Sequence, residues 1–80
     1  MRDDLIVVPV FSGGQLGPTR VPLPAGAGGL RHASIAFCEE ITMIDRDFLA
    51  RGPVGVLAPS LVDRVVRGVR RAIGEVVPEP

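Results

Sequence analysis

"VPVFSGGQLGPTRVPLP", residues 8–24, joins two β-like runs through a glycine-containing loop. A phosphate cradle would need a helix directly after that loop, so that backbone N–H groups and the helix dipole point at the anion. Pro18-Thr19-Arg20-Val21 follows instead, which is strand-like, and there is no Gly-Lys-Ser/Thr. A loop connecting two strands, Ser12–Pro18, is the reading that fits.

On the N-terminal side, Leu5–Val10 is apolar and β-branched and is bounded by Asp3-Asp4 and Ser12-Gly13-Gly14. It reads as a strand buried on both faces. Pro9 has no N–H to donate, so that part of the run belongs at an edge or a bulge. On the C-terminal side, Thr19–Leu23 is a second short strand, with Pro22 again marking an edge. "PAGAGG", residues 24–29, is a connector. Ser34–Ile44 is the longest β candidate. Ile35, Phe37 and Glu39 share one phase with Ile41 and Met43, and a bulge near Glu39-Glu40 accounts for the polar interruption. Asp45 reads as the cap of a single turn through "DRDFLA", residues 45–50. Gly55-Val56-Leu57 supplies a further short strand.

From Pro59 the period changes to 3.6. Leu61, Val62, Val65, Val66, Val69, Ala72 and Ile73 fall on one arc of about 140°. Asp63, Arg64, Arg67, Arg70 and Arg71 lie opposite, as a solvated face. Pro59 suits the first helical position and Gly74 the stop. Arg70 and Arg71 favour the C-terminal end of the helix dipole. The tail after Gly74 reads as frayed. Strands followed by one amphipathic helix make a small α+β, mainly β, domain over residues 1–80.

The bulk properties agree with this and narrow the function. Eighty residues make one domain. Hydrophobic content of 46% argues against disorder. With three Phe and no Trp or Tyr, the core is aliphatic. Net charge is zero, which excludes a chain-wide electrostatic grip on nucleic acid but leaves room for a local patch. All nine basic residues are Arg, whose planar donor fork suits phosphate. A lone Cys38 forms no internal disulfide and fits a reducing, cytoplasmic compartment. No apolar run approaches the roughly 18 residues of a transmembrane helix. Two Asp before the first apolar run argue against a secretory signal.

Individual reactive residues carry little chemistry alone. His32 is the only histidine, with no Ser or Cys partner nearby, and reads as a surface residue. Cys38 lies between Phe37 and Glu39; it reads as inert packing, with its thiol pKa raised by the adjacent acids. No Cys or His pairing has metal-ligand spacing.

Four stretches in order resemble the MazF/PemK toxins of toxin–antitoxin pairs, from about Asp4 to Gly74. "DLIVVPVFS" is similar to the family's central strand and the short Ser/Thr-bearing loop after it. "PTRVPLP" is similar to its Pro-Thr-x-Val strand. "SIAFCEEITMIDRDFL" resembles its long strand with a terminal turn. "GVLAPSLVDRVVRGVRRAIG" resembles its closing helix. The resemblance implies a partial SH3-like barrel of the MazF/CcdB kind with a C-terminal amphipathic helix. It further implies a metal-independent, cofactor-free endoribonuclease that cuts single-stranded RNA with the ribose 2′-hydroxyl as nucleophile. A homodimer, a cognate antitoxin and joint binding of operon DNA are the partners implied, in the cytoplasm and away from membranes.

Carried over to this chain, the resemblance makes Ser12 the catalytic hydroxyl, with Thr19, Arg20, Arg31 and Glu40 as RNA-binding residues. Phe11 stands where the family's catalytic Thr/Ser aligns, so Ser12 serves only if the backbone re-aims it. The family's Arg-Pro, on a strand before the central one, has no counterpart here. The resemblance therefore implies an N-terminally truncated form, active or a catalytically inactive remnant that dimerises or binds antitoxin. A gyrase-directed toxin on the same fold is a third reading that no residue favours. Ala58 stands where a capping Ser usually precedes the Pro, at a cost of ~1 kcal/mol to the helix.

Overall fold

The computed structural model describes residues 4–49 and 52–78. Asp3 beside the first run, Ala50 at the end of the 45–50 turn, and residues 79–80 of the tail lie outside them. Five strands precede one helix: β1 (Asp4–Val7), β2 (Val10–Phe11), β3 (Arg20–Leu23), β4 (Ser34–Phe37), β5 (Thr42–Asp45) and α1 (Pro59–Ala72). β1 pairs antiparallel with β5, and β4 lies between β2 and β3 in a second antiparallel sheet. The class is α+β and mainly β, as the sequence implies.

The run Leu5–Val10 is not one strand buried on both faces. It breaks at Val8-Pro9 into β1 and β2, which belong to different sheets, and Ile6 is 73% exposed. Pro9 cannot donate to a ladder, so the chain turns there. The Pro9 carbonyl still accepts the Phe37 N–H at 3.0 Å. The partner run 34–45 breaks at the same level. Cys38–Glu40 forms a 3₁₀ turn between β4 and β5 in place of the expected bulge. Val7 pairs with Thr42 and Val10 with Ala36, so residues 37–41 face only residues 8 and 9. The surplus on one side bends both runs together, and this corner carries the chain from one sheet to the other.

Alternation in β3 and β4 sets the core. Val21, Leu23, Ala36 and Cys38 point to one face and are buried against Leu61, Val65 and Val69 of α1. Gly68 is the buried residue of the helix, and a Cβ there would sit 2.7 Å from Cys38 Sγ. The expected apolar arc is wider than the sheet it covers, so Val62, Val66 and Ile73 remain exposed. Residues 55–57 form no strand. Instead Leu57 packs on the core, while the 54–55 backbone passes so close to Gly28 and Gly29 that a Cβ at Gly29 would lie 2.9 Å from the Val54 carbonyl carbon. Asp45 caps its turn as expected, its Oδ1 accepting from the Asp47 N–H at 2.9 Å.

The helix ends in a Schellman arrangement. Glu75 N–H bonds to the Arg70 carbonyl and Gly74 N–H to that of Arg71, with Gly74 at φ 98°. Residues 75–78 then lie back along the helix. Arg70 pairs with Glu75, and Arg67 and Arg71 donate to the Pro78 and Val77 carbonyls. At the other end Ala58 offers no side-chain cap. Ala58→Ser, at an exposed position, should add ~1 kcal/mol of stability in urea melts.

Candidate functional site

The face of β2-β4-β3 turned away from the helix carries Phe11, Ile35, Phe37, Arg20 and Pro22, by the same alternation. The 12–17 loop folds over part of it. Gly14, at φ 124°, lies against the Phe37 ring, where a Cβ would approach Cζ to 2.6 Å. Only glycine allows that contact. Phe11 meets Phe37 edge to face with ring centroids 4.8 Å apart. The Arg20 guanidinium lies over the other side of the cluster, its Cζ 3.9 Å from the Phe37 centroid, a cation–π contact.

Arg20 is held on all three nitrogens. Nε and Nη2 donate to Glu39 Oε2 at 2.9 and 2.8 Å, and Nη1 donates to the Gln15 carbonyl at 3.0 Å. Thr19 Oγ1 donates to the other oxygen, Glu39 Oε1, at 2.8 Å. The Arg20 hydrogen bonds, and then that of Thr19, pull the Glu39 carboxyl down to about 2 from an ordinary 4.5. A depressed carboxylate stabilises the fold above its unfolded pKa and loses that contribution as pH falls through the folded value. Glu75 is shifted the same way by Arg70. The thermal midpoint should therefore fall as pH drops from 4.5 towards 2, and Glu39→Gln should flatten part of that fall in circular-dichroism melts.

Two grooves flank the rim. One, of about 320 Å³, lies between the loop and α1 and is lined by Arg20, Arg64, Arg67 and Arg71. The other, more open and about 550 Å³, is lined by Ser12, Gly13, Gly14 and Ile35. They share Leu16, Pro22 and Arg64.

The five residues singled out in the sequence are thus placed unequally. Thr19 and Arg20 come together on one carboxylate. Ser12 sits exposed at a bend after β2, in the adjoining groove, and makes no hydrogen bond among the described residues. Arg31 and Glu40 are exposed and line neither groove. The carboxylate that organises the rim is Glu39, whose phase with Ile35 and Phe37 was the available signal. Cys38 is fully buried, and burial first, then Glu39, pushes its thiol up. The His32 side chain is exposed, and its carbonyl accepts from Ser34 Oγ. Among the described residues no group of three potential metal ligands occurs, and no helix is long and apolar enough to cross a membrane.

Several solved structures share this architecture. The Mycobacterium tuberculosis toxin MazF-mt6 superposes with TM-score 0.78 at 22% identity, over 89% of this chain and 70% of that one. An endoribonuclease from a mycobacterial species, solved with its cognate antitoxin, gives 0.79 at 17% identity, over 95% of this chain and 70% of that one. At such identities the likeness concerns the fold. Sequence comparison with curated proteins finds no match. The family model of PemK-like, MazF-like toxins of type II toxin–antitoxin systems, however, matches residues 2–73. With nine-tenths of its length covered by that model and a toxin-like fold around the same segments, the chain belongs to the PemK/MazF-like toxin family.

Proposed function

We propose that this protein is a toxin component of the endoribonuclease type, and that the Arg20 and Phe37 face of β2-β4-β3 forms its single-strand-binding rim. Cutting RNA through the 2′-hydroxyl needs a group to take that proton and a cation to stabilise the phosphorane charge. The observation that carries the proposal is the state of Arg20. It is the guanidinium of the rim strand, and all three of its nitrogens are engaged by Glu39 and Gln15. An oxyanion would have to displace a carboxylate to reach it. Ser12 stands ready as a hydroxyl but has neither base nor cation bonded to it among the described residues. On this reading the rim binds RNA, and a guanidinium from outside these residues completes the cutting site. Thr19 and Arg20 shape the rim, while Arg31 and Glu40 contact flanking nucleotides. No metal or cofactor takes part.

The mycobacterial endoribonuclease solved with its cognate antitoxin supports an antitoxin as protein partner. Joint binding of operon DNA and action in the cytoplasm belong to this reading through the family resemblance alone. A second reading, an inactive relative that dimerises or binds antitoxin, is favoured by the exposed apolar residues Ile6, Met43, Val62 and Val66. Fluorescence anisotropy with labelled single-stranded and duplex RNA separates the two. Salt-dependent binding of the single strand, with weaker duplex binding, is expected of the nuclease rim. Absence of RNA binding, with self-association in size-exclusion chromatography, supports the second reading.

A further inference from the structure

Arg64 lines both grooves, and no hydrogen bond or ion pair engages it among the described residues. Its neighbours on the helix face are differently placed. Arg67 donates to Asp63 Oδ2 at 2.9 Å, and Arg71 donates to the Val77 carbonyl. The helix-side groove has no acidic residue in its lining, which four arginines share with apolar residues that include Pro18 and Val21. Such a wall attracts a chain of anions, and an unengaged guanidinium fork suits a phosphate oxygen pair. Arg64, Arg67 and Arg71 follow one another along the helix at about 4.5 and 6 Å of rise, so they present charge along a line rather than at a point. The line begins where the Ser12 groove ends, at Leu16, Pro22 and Arg64.

We infer that Arg64 is a phosphate-positioning residue that carries a single RNA strand from the Ser12 groove into the arginine-lined groove along α1. This rests on the RNA-binding reading above. The substrate is then held by its backbone on the helix side, independent of base identity, and any base preference comes from the Phe11 and Ser12 side. A negatively charged peptide is the competing occupant; continuity with the Ser12 groove favours the nucleic acid strand.

The test uses the full chain and a dye-labelled single-stranded oligouridylate of ~12 nucleotides, titrated by anisotropy at several salt concentrations. Arg64→Ala should lower the slope of log affinity against log salt by about 0.7, the loss of one phosphate contact on a single strand. Arg64→Lys should restore most of it. The same loss is expected with an oligoadenylate of equal length, because the contact is to the backbone. Arg64 is exposed, so an unchanged circular-dichroism melt is expected and checks the fold. RNA binding with an unaltered slope in Arg64→Ala overturns this inference and leaves the functional reading standing. Absence of RNA binding by the unsubstituted chain overturns both. Loss of binding of an acidic peptide in Arg64→Ala, with RNA binding unchanged, assigns the groove to a protein partner and likewise overturns it.

Discussion

Gly68→Leu is expected to abolish the cooperative melt. Gly68 is the buried residue of α1 and packs against the Cys38–Glu40 turn, where an added Cβ would stand 2.7 Å from Cys38 Sγ, 3.2 Å from Cys38 Cβ and 3.4 Å from Val21 Cγ2. Cys38 is fully buried and cannot retreat. Leu is a good helix former, so a loss cannot come from propensity, which by itself favours Leu over Gly. The steric cost is about 3 kcal/mol or more. A chain of this size has roughly 4–12 kcal/mol in total. The helix would lift from the sheet, exposing Val21, Leu23 and Ala36 together. A finer version separates sterics from backbone effects. Gly68→Ala should destabilise the unsubstituted chain. In a Cys38→Ala background, with the sulfur gone, it should cost less or gain up to ~1 kcal/mol from helix propensity. A coupling of about 1–2 kcal/mol between the two substitutions in urea melts is expected. Simple additivity would show that the helix and the turn do not meet at this point.

Glu39→Gln is expected to raise the affinity for single-stranded RNA by roughly tenfold at low salt. The substitution removes the one negative charge that holds Arg20, while its amide oxygen still accepts from Thr19. The rim gains one positive charge and Arg20 gains the freedom to turn towards a phosphate. The salt dependence should steepen by about 0.7 at the same time, as expected for one further phosphate contact. Above pH 5 the substitution should lower the thermal midpoint by a small amount, because the side chains of Arg20 and Glu39 are 28% and 31% exposed and solvent screens the pair. Anisotropy titrations at two salt concentrations measure both effects. Unchanged affinity would place Arg20 away from the bound strand.

How much of this was legible in the sequence differs by element. The helix was readable from end to end because its period, its Pro59 start and its Gly74 stop all agree. Asp45 as a turn cap was readable for the same local reason. The corner was not. Pro9 marks an interruption, and the polar pair Glu39-Glu40 marks another, but neither says that the two lie side by side and hand the chain between sheets. That depends on register, which only the paired strands define. Gly55-Val56-Leu57 has strand-like composition, yet close backbone contact with Gly28 and Gly29 keeps it irregular. At the candidate site, the sequence singled out Thr19, Arg20 and Glu40; the structure joins Thr19 and Arg20 through Glu39, which alternation from Phe37 places on the Arg20 side. Arg64 reads as a solvated helix residue because amphipathicity fixes which face it is on and says nothing of the loop across from it.

The most direct measurement is RNA scission itself. The chain is incubated with end-labelled single-stranded RNA in the presence of EDTA, and products are resolved on a denaturing gel beside a binding titration of the same RNA. With Arg20 tied to Glu39 and Ser12 making no hydrogen bond among the described residues, the strand should be bound and stay intact. Discrete, chelator-resistant fragments that disappear on Ser12→Ala or Arg20→Ala would show that Ser12 and Arg20 already form a working cutting centre, and would contradict the reading that Arg20 is withheld from the phosphate by Glu39.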